Sequence, residues 1–544
     1  MKHFFLAVAL LCSLTTQAQP AQWNWVQPVE GSNPLEDIAA DAFGNLYATG
    51  TFTGFLQLGG TQLSNPGLCL YVAKFTPAGQ LVFATKLQVS NTAFPASLAV
   101  DNLGNSYITG VFSGTLRLGN EVLATSNTAP EGGGQDIMTL KLAPNGTVRW
   151  LRQISSIPSG DEWEPTNTSR AIAVDAIGNS YLTGSVSGSS VQFGSRTFSN
   201  RTGQAFIASY SPQGALRWAN VATGLDAARS EGVHLAVDDR GKGYMSGSFY
   251  GGSFTLGGAN VPASAFYNDF LAQFNLSQGQ VRWAQDPEGT EGPLAVDRKG
   301  HVYRAGQFTG TVAFGKTTLR STGNPDIFVA RYNSQGQPEW ATALPGEGPG
   351  YNYPEDMAVD AQNGKIYLTG IRSITSDFQA FIALLQPNGK VKHVESVDGP
   401  GTSSGFAIAL AGHDNLYNSG IFTGTAQFGP FTLSSAFTSY YLGRYGSWKT
   451  VRSGSQGMLA ALTASVYPMP AHEQFTLRLD SREKNQVLQA VLYNQLGIPI
   501  AEKTLQNATG KLETVFDTSQ LPPGLYVLRL KQNGQLLTKT VTVE

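Results

Sequence analysis

Short runs rich in Tyr, Val, Ile, Thr and Phe recur along the chain, each ended by a turn carrying Asp, Gly or Pro. Runs of that length and composition predict β-strands. One phrase keeps returning: Ala-x-Asp-x-x-Gly-Asn-x-Tyr-x-x-Gly. It stands at Asp41/Tyr47/Gly50, Asp101/Tyr107/Gly110, Asp175/Tyr181/Gly184, Asp238/Tyr244/Gly247, Asp297/Tyr303/Gly306 and Asp360/Tyr367/Gly370. A decayed seventh copy has Ala411 at the Asp position, then Tyr417 and Gly420.

Each phrase reads as strand, tight turn, strand. Asp first and Gly fourth is the type I preference, so the Asp is read as a turn-former before it is read as a ligand. The glycines of the second strand suggest close backbone approach. A third strand ends in Pro77-Ala-Gly79, Pro144-Asn-Gly146, Pro212-Gln-Gly214 or Pro387-Asn-Gly389, and a fourth carries Trp150, Trp218, Trp283 or Trp340. Phe83 and His393 hold that place in two copies. Phrases such as Leu116-Arg-Leu118-Gly119 predict a small hairpin between the second and third strands, which the sixth copy lacks.

Four short strands per unit of about 60 residues, repeated, predict a β-propeller. The seventh unit has a third strand at Tyr440 to Tyr445 but no fourth, while Trp23-Asn24-Trp25-Val26 is a fourth strand without a unit. The expectation is that the N-terminal strand completes the last blade and closes the ring, leaving no long sheet edge exposed. Over roughly residues 23–447 the units resemble the bacterial β-propeller repeat family with the signature Ala-Val-Asp-x-x-Gly-Asn-x-Tyr-x-x-Gly, a motif that speaks to fold and hardly to function.

The two ends read differently. A basic start, an apolar run from Phe4 to Leu14 and Thr16-Gln17-Ala18 predict a signal peptide over residues 1–18. No later run is apolar and long enough to span a membrane. Cys69 is then the one remaining thiol, read as a buried apolar residue. At the other end, residues 449–465 are Ser/Gly/Ala-rich and read as a linker after a propeller over 19–448. Residues 466–544 carry short strands and turns that suit a small Ig-like β-sandwich. This tail resembles the type A C-terminal sorting domain of type IX secretion substrates in Tyr467-Pro468-Met469-Pro470, Leu492-Tyr493-Asn494-Gln495-Leu496-Gly497 and Leu521-Pro522-Pro523-Gly524-Leu525-Tyr526. Met469 departs from the family's usual Asn. The resemblance implies the type IX machinery of a Gram-negative bacterium as a partner. It further implies passage through the periplasm and outer membrane, removal of the tail, and a protein that is released or held at the cell surface.

The fold class expected is therefore all-β, a seven-bladed β-propeller followed by a small sandwich, and the mature chain is expected to be monomeric. A net charge of −2 argues against a nucleic-acid partner. Catalytic motifs are scarce. Gly401-Thr402-Ser403-Ser404-Gly405 fits G-x-S-x-G, but a nucleophile elbow needs a strand before and a helix after it, and here a loop precedes a strand. After the signal, no two histidines fall within five residues, so local metal spacing is absent and no metal site or cofactor is assigned.

One distribution stands out. The connections from each fourth strand to the next first strand hold 15 of the chain's 38 acids, opposed only by Arg170 and Arg229. In a propeller these connections share one face around the central channel. Asp161, Glu162, Trp163, Glu164, Glu291, Tyr351, Tyr353, Glu355 and Asp356 form the candidate rim. It suits a glycan or protein ligand, with calcium as a possible bridge. The expected function is recognition or adhesion at the cell surface without catalysis. The alternative is an extracellular glycan-active hydrolase or lyase using acids such as Glu162, Glu291 and Glu355.

Overall fold

The computed structural model describes residues 22–119, 121–124, 134–157, 167–224, 229–321, 325–344, 350–373, 378–412, 415–446, 462–481, 486–493, 499–507, 511–522, 524–532 and 535–543. Strands are antiparallel throughout the named sheets, and no helix is present among the described residues. Four-stranded units follow one another along the chain. The third is typical: Thr168–Val174, Ser180–Phe193, Arg196–Tyr210 and Leu216–Val221 pair in sequence order. The first strands of successive units lie side by side: Asp37–Ala40, Thr92–Val100, Thr168–Val174, Ser230–Val237, Leu294–Val296, Tyr353–Val359 and Ser403–Leu410. The last of them lies beside the first, so these strands ring a central channel.

The recurring phrase has a local explanation. Asp41 Oδ1 accepts the backbone N–H groups of Phe43 and Asn45, each at 2.9 Å, while Oδ2 accepts the Asn45 side-chain amide at 2.8 Å. The Tyr47 hydroxyl stands 3.3 Å from the same oxygen and donates to Gly104 O, in the next unit's turn, at 2.9 Å. Tyr107 repeats this with Asp101 and Gly178. The Asp therefore satisfies its own turn, and the Tyr ties that turn to its neighbour. His301 takes the Asn place in unit five, its Nδ1 lying 2.8 Å from Asp297 Oδ2.

A second tie explains the Trp and Pro-x-Gly phrases together. The indole of Trp150 donates to Pro212 O at 3.0 Å and lies over the next unit's turn glycine, Gly214. That glycine has φ +78°, and a Cβ on it would stand 2.7 Å from the indole. Glycine is thus needed there for both conformation and space. Trp218 and Trp283 donate to Leu276 O and Ser334 O in the same way. In unit six the aromatic place holds His393, which lies 3.0 Å from Glu395 of the same strand.

The strand Gln22–Gly31 runs antiparallel to Phe431–Gly446, with Trp23 opposite Tyr445 and Val26 opposite Gly443. Trp23 is buried, with its ring 5.1 Å from Phe428 and 5.5 Å from Tyr445. Tyr417 closes the same joint, donating to Gly44 O at 2.6 Å. The extra hairpins extend the ties at the periphery: Val191–Phe193 pairs with the preceding unit's Ile154–Ser156, and Leu116–Arg117 with Gln88–Val89.

In the tail, a three-stranded sheet (Leu462–Tyr467, Gln474–Ser481, Lys511–Asp517) faces a four-stranded one (Pro499–Asn507, Gln486–Tyr493, Gly524–Gln532, Gln535–Val543). Phe475, Leu477, Phe516, Leu528 and Val541 fill the core between them, with Phe475 and Phe516 stacked at 5.0 Å.

Candidate functional site: the mouth of the channel

The ring's first strands all begin at one face. Where they begin, five carry a one-residue register shift. Pro95/Ser97, Ser169/Ala171, Gly232/His234, Pro354/Asp356 and Gly405/Ala407 flank the extra residues Ala96, Arg170, Val233, Glu355 and Phe406. A bulge leaves its extra residue outside the ladder and re-aims it. Each of these five is accessible, while the residue before it is buried. The second-strand glycine facing the bulge allows the approach: a Cβ on Gly184 would stand 2.1 Å from Thr168 O.

Two carboxylate groups result. Around units six, seven and one, Asp356 Oδ2 accepts the Ile408 N–H of the next unit at 2.8 Å, and Asp37 Oδ2 accepts the Leu98 N–H at 2.7 Å. Burial, together with the nearby Asp37 charge, pushes Asp356 up to about 8, against the pull of its backbone donors. Burial likewise pushes Asp37 up to about 7, with Glu36 adding to the effect. Burial alone takes Glu355 to about 7 and raises Glu36. The cost is that of holding a carboxylate away from water.

The second group, in units three to five, contains cations. Arg170 Nε lies 2.7 Å from Glu231 Oε1, which also accepts the Thr168 hydroxyl. Arg304 comes from a second strand, is wholly buried, and lies 4.0 Å from Asp269 Oδ2. It also donates to the carbonyls of Glu288 and Thr290, both at 2.6 Å, which fixes the loop leading to Glu291. Burial pushes Glu291 up to about 7, helped by Asp269 and Glu231 and opposed by the two arginines. His234 Nε2 is 3.8 Å from Glu291, yet burial and both arginines lower it to about 4, so it is neutral at pH 7.

Aromatic side chains accompany these acids. Tyr353 sits in the field of both Glu355 and Glu291, and so joins the two groups. Tyr351 is 68% exposed. Tyr250, Phe266 and Tyr267, at the tip of unit four on the same face, are exposed as well. Phe406 lies 6.5 Å from Tyr440 within unit seven.

Of the rim read from sequence, Glu355, Asp356 and Tyr353 are brought together, and Glu291 joins them through Tyr353. Asp161, Glu162, Trp163 and Glu164 lie outside the described residues. The acids are less one-sided than the loop tally suggests, because Arg304 enters from a strand. The sequence reading also missed Asp269, His234, Tyr250, Phe266 and Tyr267. Of these, only the adjacent Phe266-Tyr267 pair, next to a turn, offered a signal. Ser403 of the G-x-S-x-G phrase opens a strand and its hydroxyl accepts the Ala380 N–H, so no elbow forms. Among the described residues, no three His, Cys, Asp or Glu side chains converge as metal ligands. A cavity of about 650 Å³ lies on the opposite face between units two and three, lined by Trp150, Ile177 and Gln213 among others. It lies between the turns that tie the two units, and its acid, Asp101, is already satisfied by its turn.

In the tail, Tyr467 donates to Glu513 at 3.2 Å and Tyr526 donates to Pro522 O at 2.8 Å, bracing two of the three sorting phrases. Pro468 and Pro470 follow the first strand, Gly524 opens another, and Gly497 lies outside the described residues.

Fold and tail together define an all-β, propeller-like protein with a C-terminal export signal. Residues 465–544 match the secretion system C-terminal sorting domain family, so the chain carries a type IX sorting tail. That tail directs it to the cell surface or the extracellular space through the type IX machinery. No helix among the described residues is long and apolar enough to cross a membrane. Two solved structures are similar. One is a gluconolactonase of Xanthomonas campestris, 15% identical over 65% of this chain and 95% of that one, with a TM-score of 0.27. The other is a mutant of the Synechocystis apocarotenoid oxygenase, 10% identical over 92% and 97%, with a TM-score of 0.35. No curated protein matches the chain.

Proposed function

We propose that this is an exported recognition protein that binds an extracellular glycan, protein or matrix ligand at the channel mouth without transforming it. The observation that carries the reading is where the exposed aromatic side chains stand. Phe94, Tyr250, Phe266, Tyr267, Tyr351, Tyr353 and Phe378 belong to loops and strand ends of the mouth face, whereas among the described residues of the ring Phe43 stands on a turn of the opposite face and Phe55 and Phe437 within long strands. An apolar surface rimmed by polar groups is the signature of an interaction site. The carboxylates beside it are partly protonated near neutral pH and so both donate and accept hydrogen bonds. After export the protein acts at the cell surface or in the medium, reached by way of the periplasm.

A second reading has its own support. Glu291 and Glu355 are raised to about 7, the range useful to an acid catalyst, which favours a glycan-active hydrolase or lyase. One experiment separates the two. The mature protein is screened against glycans and extracellular matrix proteins, with and without calcium, and scored for both binding and cleavage. Binding without cleavage, weakened by Tyr353→Ala and Glu355→Gln, supports recognition. Turnover abolished by Glu291→Gln or Glu355→Gln supports the enzyme. Binding indifferent to these changes, or none to any ligand, contradicts a site at the mouth.

A further inference from the structure

At the tip of unit four, three aromatic rings form a shelf beside the mouth. Tyr250 ends one strand and Tyr267 opens its partner, directly opposite in register. Their ring centroids are 5.0 Å apart, and Phe266 lies 6.2 Å from Tyr250. Tyr250 is 47% exposed, Tyr267 49% and Phe266 78%. An accessible Phe at the end of a frayed loop would be unremarkable. Here the turn is built. The buried Asn268 accepts the N–H groups of Ser264 and Ala265, at 2.8 and 2.7 Å, and donates to Ala265 O at 2.6 Å. Gly251 N–H donates to Phe266 O at 2.8 Å, and the Ser264 hydroxyl reaches Asp286. The scaffold is formed before any ligand arrives, which lowers the ordering cost of binding.

The shelf adjoins the second carboxylate group. Tyr267 and Tyr353 both lie in the field of Asp269 and Glu291. Two of the acids there are matched, Glu231 by Arg170 and Asp269 by Arg304. Glu291 has only the neutral His234 beside it, and Asp286 accepts from the Ser264 hydroxyl of the shelf's own turn. The wall next to the shelf therefore offers carboxylate acceptors, two of them already taken by arginines. An anion would be repelled there, whereas a neutral, hydroxyl-rich ring can donate to those acceptors. The aromatic faces accept the apolar C–H face of such a ring, and the polar wall meets its hydroxyls.

We propose that the Tyr250–Phe266–Tyr267 shelf, flanked by Tyr353, is a stacking subsite for a neutral hexose ring of an extracellular glycan. This rests on the mouth being the recognition site and assigns that site's ligand class.

The test is calorimetric titration of the mature protein with neutral glucan, mannan and galactan hexasaccharides. Chitosan and polygalacturonate hexamers are the cationic and anionic arms. A neutral hexasaccharide is expected to bind, and Phe266→Ala and Tyr267→Ala are each expected to weaken it by about tenfold or more. Ile177→Ala, on the opposite face, should leave it unchanged. Phe266 is mostly outside the core, so melting of Phe266→Ala should match the parent and isolate the binding effect. Neutral binding indifferent to both shelf variants overturns the subsite. Binding of the charged hexamers alone overturns the neutral ligand class. Binding of no hexasaccharide overturns the proposal as a whole. In all three cases a matrix protein that binds, and is lost with Tyr353→Ala and Glu355→Gln, would leave the broader mouth reading standing.

Discussion

Trp25 and Gly79 meet across the two ends of the propeller-like ring. The indole from the N-terminal strand lies 3.2 Å from where a Cβ on Gly79 would stand, and its Nε1 donates to Pro77 O at 3.1 Å. Trp150 bears the same relation to Gly214 and Pro212. The joint that closes the ring is thus built like a joint between consecutive units. Gly79→Ala is expected to cost roughly 2–3 kcal/mol, combining strain at φ +79° with the clash. Gly241→Ala has a similar φ of +82° but open space, and should cost only about 1 kcal/mol. Denaturant melts of the two variants check the difference.

The deeper anchor of the same strand is Trp23, which is fully buried, whereas Trp25 is only partly so. Trp23→Ala should cost about 3–5 kcal/mol and Trp25→Ala less. Deleting residues 22–31 bares the edge of Phe431–Gly446, and an unpaired edge recruits other chains. Size-exclusion chromatography should show self-association. A monomeric, equally stable deletion would mean that the strand contributes nothing to closure.

The mouth acids make stability depend on pH with a definite sign. Glu355 is raised from 4.5 to about 7, so the folded state holds its proton more tightly. Its unfavourable contribution is absent below about pH 4.5, grows as pH rises through 7, and is complete above it. Glu355→Gln should therefore stabilise the protein by roughly 1–2 kcal/mol at pH 8 and by little at pH 4.5. His234 acts oppositely: lowered from 6.5 to about 4, it costs stability as pH falls across that interval. Melting curves from pH 4 to 8 for the parent and the variant read both slopes.

Export should shorten the chain at both ends. Intact mass of the surface or medium form is expected to begin near Gln19 and to lack the sorting tail of residues 465–544. A full-length species outside the cell would contradict processing.

The ring and its joints were legible because their causes are local and repeated. The turn Asp, its Tyr, the Pro-x-Gly turn and the Trp recur at fixed places, and each has a hydrogen bond or a clash to explain it. The exception, His393, lies against Glu395 of its own strand instead. The mouth was legible only as a concentration of acids. The bulges that present Glu355 and Arg170 insert one residue without altering composition. Arg304 balances the acids from within a strand, where a loop tally does not look. The aromatic shelf comes from strand ends 17 residues apart in sequence, Tyr250 and Tyr267, brought face to face by register alone.

The central claim is that the ligand covers the mouth. Hydroxyl-radical footprinting of the mature protein, with and without a ligand found in the binding screen, tests this most directly. The account predicts protection of Tyr351, Tyr353, Phe266 and Tyr267, with Ile177 and Gln213 on the opposite face unchanged. Protection of Ile177 and Gln213, with the mouth aromatics still reactive, would place recognition in the cavity between units two and three and contradict it.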